Sequence, residues 1–228
     1  MFSAGLDSYA IKKLYHFKDE ECLFLITGTE DNKQELELIM ELFPAINLYS
    51  LPIVNFELEN KIIPFRNHLM ALIAAQYGNE IWFGFTAGDT TKDKDYVFKA
   101  QIEDILNYFS IDEEKVVYKA PYSISMPFKE MTKTQIVKRF LDDFSSDLLF
   151  SETRSCYSGN SIMECGVCRS CLRKFVAVSL NEIPDSNLHF QNDPVPKLKE
   201  FYYECLSKNR KNEIKEVEAC CKKYGVTI

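Results

Sequence analysis

Hydrophobic positions along the chain alternate between two rhythms. Short apolar runs stand at Cys22–Thr27, Ile46–Leu51, Glu80–Thr86, Lys115–Ala120 and, less sharply, Asp147–Phe150. Between them, apolar residues recur at helical spacing over Ser8–Phe17, Lys33–Phe43, Asn67–Tyr77, Phe98–Phe109 and Thr132–Phe144. Strands alternating with helices of this length predict βαβ units and a mainly parallel, doubly wound α/β sheet. Such a sheet binds ligands at the carboxyl ends of its strands. From Ser151 a Ser/Cys/Gly-rich stretch leads to a helix over Leu172–Leu180, then a connector from Pro184 to Pro196. Two polar helices, Lys197–Ser207 and Lys211–Tyr224, follow it. This predicts an α/β domain over 1–150 and a metal-stapled helical appendage over 151–228.

Composition narrows the function classes. The chain has 228 residues and is 46% hydrophobic, enough for a substantial core. Its formal charge of −7 argues against broad nucleic-acid binding, which needs basic surface. No run of about 18 apolar residues marks a membrane span, and no leader pattern stands at the start. A cytoplasmic location is expected, and a cysteine cluster there reads as a metal site before disulfides.

The string Ser3-Ala4-Gly5-Leu6-Asp7-Ser8 sets small residues at the start of a helix. Backbone N–H groups there can approach a phosphate, helped by the helix's positive end. Ser3 and Ser8 add hydroxyl donors, and Asp7 suits a helix cap or a Mg²⁺ ligand. The turn lacks the Gly-Lys-Ser/Thr ending of a Walker A loop. Met1 and Phe2 precede it, leaving little room for the strand such a turn normally follows. Far downstream, Cys156, Cys165, Cys168 and Cys171 read C-x8-C-x2-C-x2-C. Four thiolates suit a closed structural zinc site, with an iron–sulfur cluster as the rival. Cys22, Cys205, Cys220 and Cys221 lack metal spacing and read as ordinary thiols.

The turn resembles the SGGxDS loop of the PP-loop adenylating ATPases, with Ala4 in place of a glycine. Combined with Ser-Cys-Tyr-Ser-Gly and Cys-Gly-Val-Cys-Arg-Ser-Cys at 155–171, it resembles the 7-cyano-7-deazaguanine synthase family over nearly the whole chain. Ile63-Pro64-Phe65-Arg66-Asn67, Ile81–Gly84 with Asp89, and Pro121 to Met131-Thr132-Lys133 are similar to further segments of that family.

The resemblance implies a queuosine-pathway ligase that binds ATP and Mg²⁺ and carries structural Zn²⁺. It assigns Ser3, Ala4, Gly5, Leu6, Asp7, Ser8, Arg66, Asn67 and Lys133 to nucleotide binding, with Asp7 and Lys133 catalytic. Asp89 and Asp95 are assigned to the substrate. The implied reaction turns 7-carboxy-7-deazaguanine and ammonia into the nitrile, in a homodimer. Read without the family, Arg66 and Asn67 cap a helix and bind a nearby loop, Lys133 is a solvated helix-start lysine, His68 is a satisfied structural histidine and Trp82 is core. Arg169 and Arg173 are assigned equally to a partner surface or an anion. The loop Asp89–Phe98 lacks the family's Tyr-Pro-Asp-Cys-Arg-like stretch. This opens a second reading, transfer of the activated deazaguanine to a protein amine in antiviral defence. A third is a non-catalytic protein that binds nucleotide or a partner.

Overall fold

The computed structural model describes residues 1–59, 62–112, 115–116, 121–156, 163–184 and 187–228. Two parallel strand pairs form its centre. β1 (Leu23–Ile26) pairs with β2 (Asn47–Ser50), and β3 (Glu80–Trp82) with β6 (Ser123–Ser125). A short antiparallel pair, β4 (Ile111–Asp112) with β5 (Lys115–Val116), lies apart. Among the described residues, the expected doubly wound sheet is thus not one continuous ladder. The physical reason is local: Met1 and Phe2 fill the slot between the two parallel pairs. The nitrogen of Met1 donates to the Trp82 carbonyl at 2.8 Å, and Phe2 N donates to the Leu23 carbonyl at 2.9 Å. Two residues span the gap without forming a strand of their own.

Side chains of β1 alternate between two cores, as a strand covered on both faces requires. Phe24 packs with Phe2, Leu6, Tyr9, Ile39 and Phe140, beneath α1 (Leu6–Leu14), α2 (Glu30–Leu42) and α5 (Lys133–Leu141). Leu23 and Leu25 pack the other way, against Ala71 of α3 (Arg66–Ala74) and Phe98 and Ile102 of α4 (Tyr96–Ser110). Trp82 lies partly buried against the first core, its ring beside Tyr15 and Phe17.

One expected strand is a helix. Asp147–Phe150 falls within α6 (Ser146–Ser151), because the Ser145 hydroxyl accepts from Asp147 N and Asp147 occupies the first turn. An N-cap and a favourable dipole charge outweigh a run of three apolar residues. Of the expected strand Lys115–Ala120, residues 117–120 lie outside the described residues.

The C-terminal segment folds around α7 (Arg169–Leu180), which is buried along most of its length. Ala177 and Val178 join the first core, while Leu172, Phe175 and Val176 pack with α8 (Leu198–Ser207) and α9 (Lys211–Lys223). Cys205, Cys220 and Cys221 lie buried in that last cluster, as thiols outside any metal set. Among the described residues, no helix is long and apolar enough to cross a membrane.

Candidate functional site

Ser3 follows the Met1–Phe2 segment, Thr27 follows β1 and Phe83 follows β3, so three carboxyl ends open into one cleft. Its volume is about 250 Å3. Ser3, Gly5, Asp7 and Ser8 line one wall, Arg66, Asn67 and Lys94 another. The turn is closed by its own serines: Ser8 Oγ accepts from Ser3 N at 3.2 Å and donates to the Gly5 carbonyl at 3.0 Å. Helix α1 begins at Leu6 with Gly5 as its N-cap, two residues before the expected start. First-turn N–H groups have no intrahelical acceptor, and here that turn faces the cleft.

Ala4 lies beneath the turn, fully buried, with φ +53°. It holds a left-handed conformation that glycine takes without strain, and Arg154 N donates to its carbonyl at 2.9 Å. Leu6 is also buried below the cleft.

Lys133 is buried rather than solvated and reaches Asp7, its Nζ lying 2.8 Å from both carboxylate oxygens. Its helix α5 is fixed by a capping box: Thr132 Oγ1 accepts from Gln135 N, and Gln135 Oε1 accepts from Thr132 N. Asn67 donates to the carboxylate of Asp93 at 2.7 Å, tying α3 to the neighbouring loop. Arg66 stands half-buried in the cleft wall. The His68 ring packs edge-on against Phe98, and among the described residues its buried Nδ1 meets no hydrogen-bond partner.

The two aspartates assigned to substrate do not line the cleft. Asp95 accepts from Phe98 N at 2.8 Å and caps α4. Asp89 accepts from Thr86 N at 2.9 Å and from Lys94 Nζ at 3.1 Å. Burial works to raise its pKa, but Lys94, Arg173 and the Thr86 N–H outweigh it and hold the carboxyl well below the usual range. Asp89 thereby holds Lys94, the cation that this loop brings to the cleft wall.

Sequence reasoning missed a buried set behind the turn. Arg173 pairs with Glu213 of α9 and donates to Thr86 Oγ1 at 2.9 Å, so it is a buried internal contact rather than a free surface charge. Burial opposes its charge, yet Glu213, Asp89 and Asp7 raise its pKa. Arg169 pairs with Glu204. Glu216 accepts from Thr132 Oγ1 and, at 2.8 Å, from Thr134 Oγ1. The partners of Arg173 and Glu216 lie 40 to 87 residues from them, so no local spacing announces them. Thr27 and Asn32, also missed, follow from the rule of strand carboxyl ends: Asn32 Oδ1 accepts from Thr27 N at 2.7 Å.

The four cysteines of the C-x8-C-x2-C-x2-C pattern converge, their sulfurs all within 4.8 Å of one another. Sulfurs of a tetrahedral thiolate site with about 2.3 Å metal bonds stand about 3.8 Å apart. Cys165 and Cys171 Sγ are 3.9 Å apart, Cys168 and Cys171 Sγ 3.4 Å, so the cluster fits one ion without rearrangement. Gly166 turns the chain at φ +80°, where any Cβ would lie 2.1 Å from the Asn192 carbonyl oxygen. Cys168 is also the N-cap of α7.

The family model described as "Queuosine biosynthesis protein QueC" matches residues 48–181. The chain is 26% identical to 7-cyano-7-deazaguanine synthase 2 of Colwellia psychrerythraea, across 81% of this chain and 94% of that protein. It is 29% identical to 7-cyano-7-deazaguanine synthase of Desulfotalea psychrophila, across 50% of each.

Proposed function

This chain belongs to the QueC family, and on that premise we propose that it uses ATP to convert 7-carboxy-7-deazaguanine into 7-cyano-7-deazaguanine. The observation that carries the reading is the convergence of Ser3, Asp7, Ser8, Arg66 and Lys94 on one cleft, with Lys133 held against Asp7. ATP phosphates would lie on the Ser3–Ser8 turn, met by first-turn N–H groups and by the cations Arg66 and Lys94. Attack of the substrate carboxylate on the α-phosphate forms an acyl-adenylate and expels pyrophosphate. Ammonia displaces AMP to leave the amide. A second adenylation, at the amide oxygen, releases another pyrophosphate, and loss of AMP and a proton yields the nitrile. Cations set before the reaction stabilise charge gathering at the α-phosphate.

Asp7 would hold Mg²⁺ because it offers carboxylate oxygens in the cleft wall beside the Ser3–Ser8 turn, sharing them with Lys133. When bound, Mg²⁺ would neutralise phosphate charge. Cys156, Cys165, Cys168 and Cys171 would hold one Zn²⁺ as a structural staple. Sulfurs within 4.8 Å of one another support a single ion over a multi-iron cluster.

Substrate-dependent exchange of labelled pyrophosphate into ATP tests the proposal. Exchange that disappears in Asp7→Asn supports it. Unchanged exchange in Asp7→Asn removes Asp7 from the chemistry, and no exchange in the parent protein leaves a nucleotide- or partner-binding role. A specific observation favours the second acceptor, a protein amine. Phe56, Leu58 and Phe65 are exposed beside the cleft residues Glu57, Ile63 and Arg66, an apolar rim suited to a macromolecule. With labelled substrate, transfer of label to a protein instead of to nitrile identifies that acceptor.

A further inference from the structure

Helix α9 presents two carboxylates one turn apart to the back of the cleft. Glu213 takes Arg173, which donates onward to Thr86 in the loop after β3. That loop is packed against the pair so tightly that a Cβ at Gly88 would lie 2.1 Å from Glu213 Oε1. Glu216 takes the hydroxyls on either side of Lys133, those of Thr132 and Thr134. Thr132 Oγ1 already accepts from Gln135 N, so its own proton is available for Glu216. The helix start that carries Lys133 is therefore held twice, by its capping box and by a carboxylate from a helix 84 residues away.

We propose that Glu216 is a positioning residue: by receiving both threonine hydroxyls, it fixes the start of α5 so that Lys133 stays against Asp7 at the phosphate turn. The C-terminal helices thereby complete the site that the N-terminal turn begins. The idea rests on the adenylation reading only for its meaning in catalysis, because the geometry can be tested without nucleotide.

The test is amine-reactive footprinting of the full, metal-loaded protein, with mass spectrometry at Lys133 and at exposed Lys138 on the same helix as control. Lys133 should be protected in the parent. In Glu216→Ala its labelling should accelerate about a hundredfold or more, as loss of two charge-assisted hydrogen bonds implies for a local opening. Lys138 should not change. Glu216→Gln, whose amide can accept from one hydroxyl and donate to the other, should restore protection. Thr134→Val removes one anchor without touching α9 and should raise labelling by a smaller factor, which keeps the idea testable if Glu216→Ala folds poorly. Protection of Lys133 unchanged in Glu216→Ala or in Thr134→Val overturns the proposal. ATP affinity, measured by titration calorimetry, should fall in step with Lys133 protection. If protection falls while the parent shows no ATP binding, the positioning role stands and the adenylation reading fails.

Discussion

Asp7 and Lys133 depend on each other because their side chains are only 22% and 6% exposed. Replacing Asp7 by Ala strands a buried ammonium, a loss of about 3 kcal/mol by the usual cost of breaking such pairs. Asp7→Asn keeps an oxygen acceptor for Lys133 and should cost clearly less. Urea unfolding of the two variants checks this, and activity losses are best compared in Asn. At Ala4 the opposing terms nearly cancel. Glycine would relieve about 1–2 kcal/mol of left-handed strain, but it forfeits a buried methyl and adds unfolded-state entropy of similar total size. Ala4→Gly should therefore shift stability by less than about 1 kcal/mol, while a β-branched Ala4→Val should destabilise markedly. Equal stability of the parent and Ala4→Val would contradict the strained geometry. Asp89 supplies a pH prediction. Its folded pKa is depressed, so its contribution is full above the unfolded value of about 3.9 and fades as pH falls towards the folded one. The stability gap between the parent and Asp89→Asn should narrow below about pH 4. A gap independent of pH would refute the ion pair with Lys94.

Helices and strands were unequally legible. The spacing of apolar residues located α2, α4, α7, α8 and α9 to within a few residues, because long amphipathic stretches bury one stripe. β6 went unseen: Ser123–Ser125 offers one buried residue, Ile124, between two prolines. α6 was read as a strand because a short apolar run carries no period of its own. The site followed the same division. Contiguous motifs, the Ser3–Ser8 turn and the cysteine pattern, announced themselves. Arg173, Glu213 and Glu216 act through partners far away in sequence, and Lys94 takes its place from a loop held by Asp89. The cysteine cluster joins distant elements as well. Cys156 lies two residues beyond Arg154, whose N–H supports Ala4 beneath the phosphate turn. Cys165→Ser should release about one metal ion per chain and lower the unfolding temperature of the C-terminal part. Retained metal and stability in that variant would remove the structural-staple role.

Across the whole molecule, a short centre is compensated by its surroundings. Met1 and Phe2 join the two strand pairs, and the turn they lead into is braced by Arg154 from one side and by Lys133 from the other. Behind Lys133 stand α5, α7 and α9, so the C-terminal helices contribute to the site as well as to the core. The cysteine cluster, the carboxylates of α9 and the Ser3–Ser8 turn thus form one connected scaffold around the cleft. The central claim is the chemistry performed there. Mass spectrometry of the products from ATP, Mg²⁺, 7-carboxy-7-deazaguanine and ammonia tests it most directly. The account predicts 7-cyano-7-deazaguanine, with AMP and pyrophosphate each formed at about two per nitrile. Intact ATP and unchanged acid at the end of that incubation would contradict it.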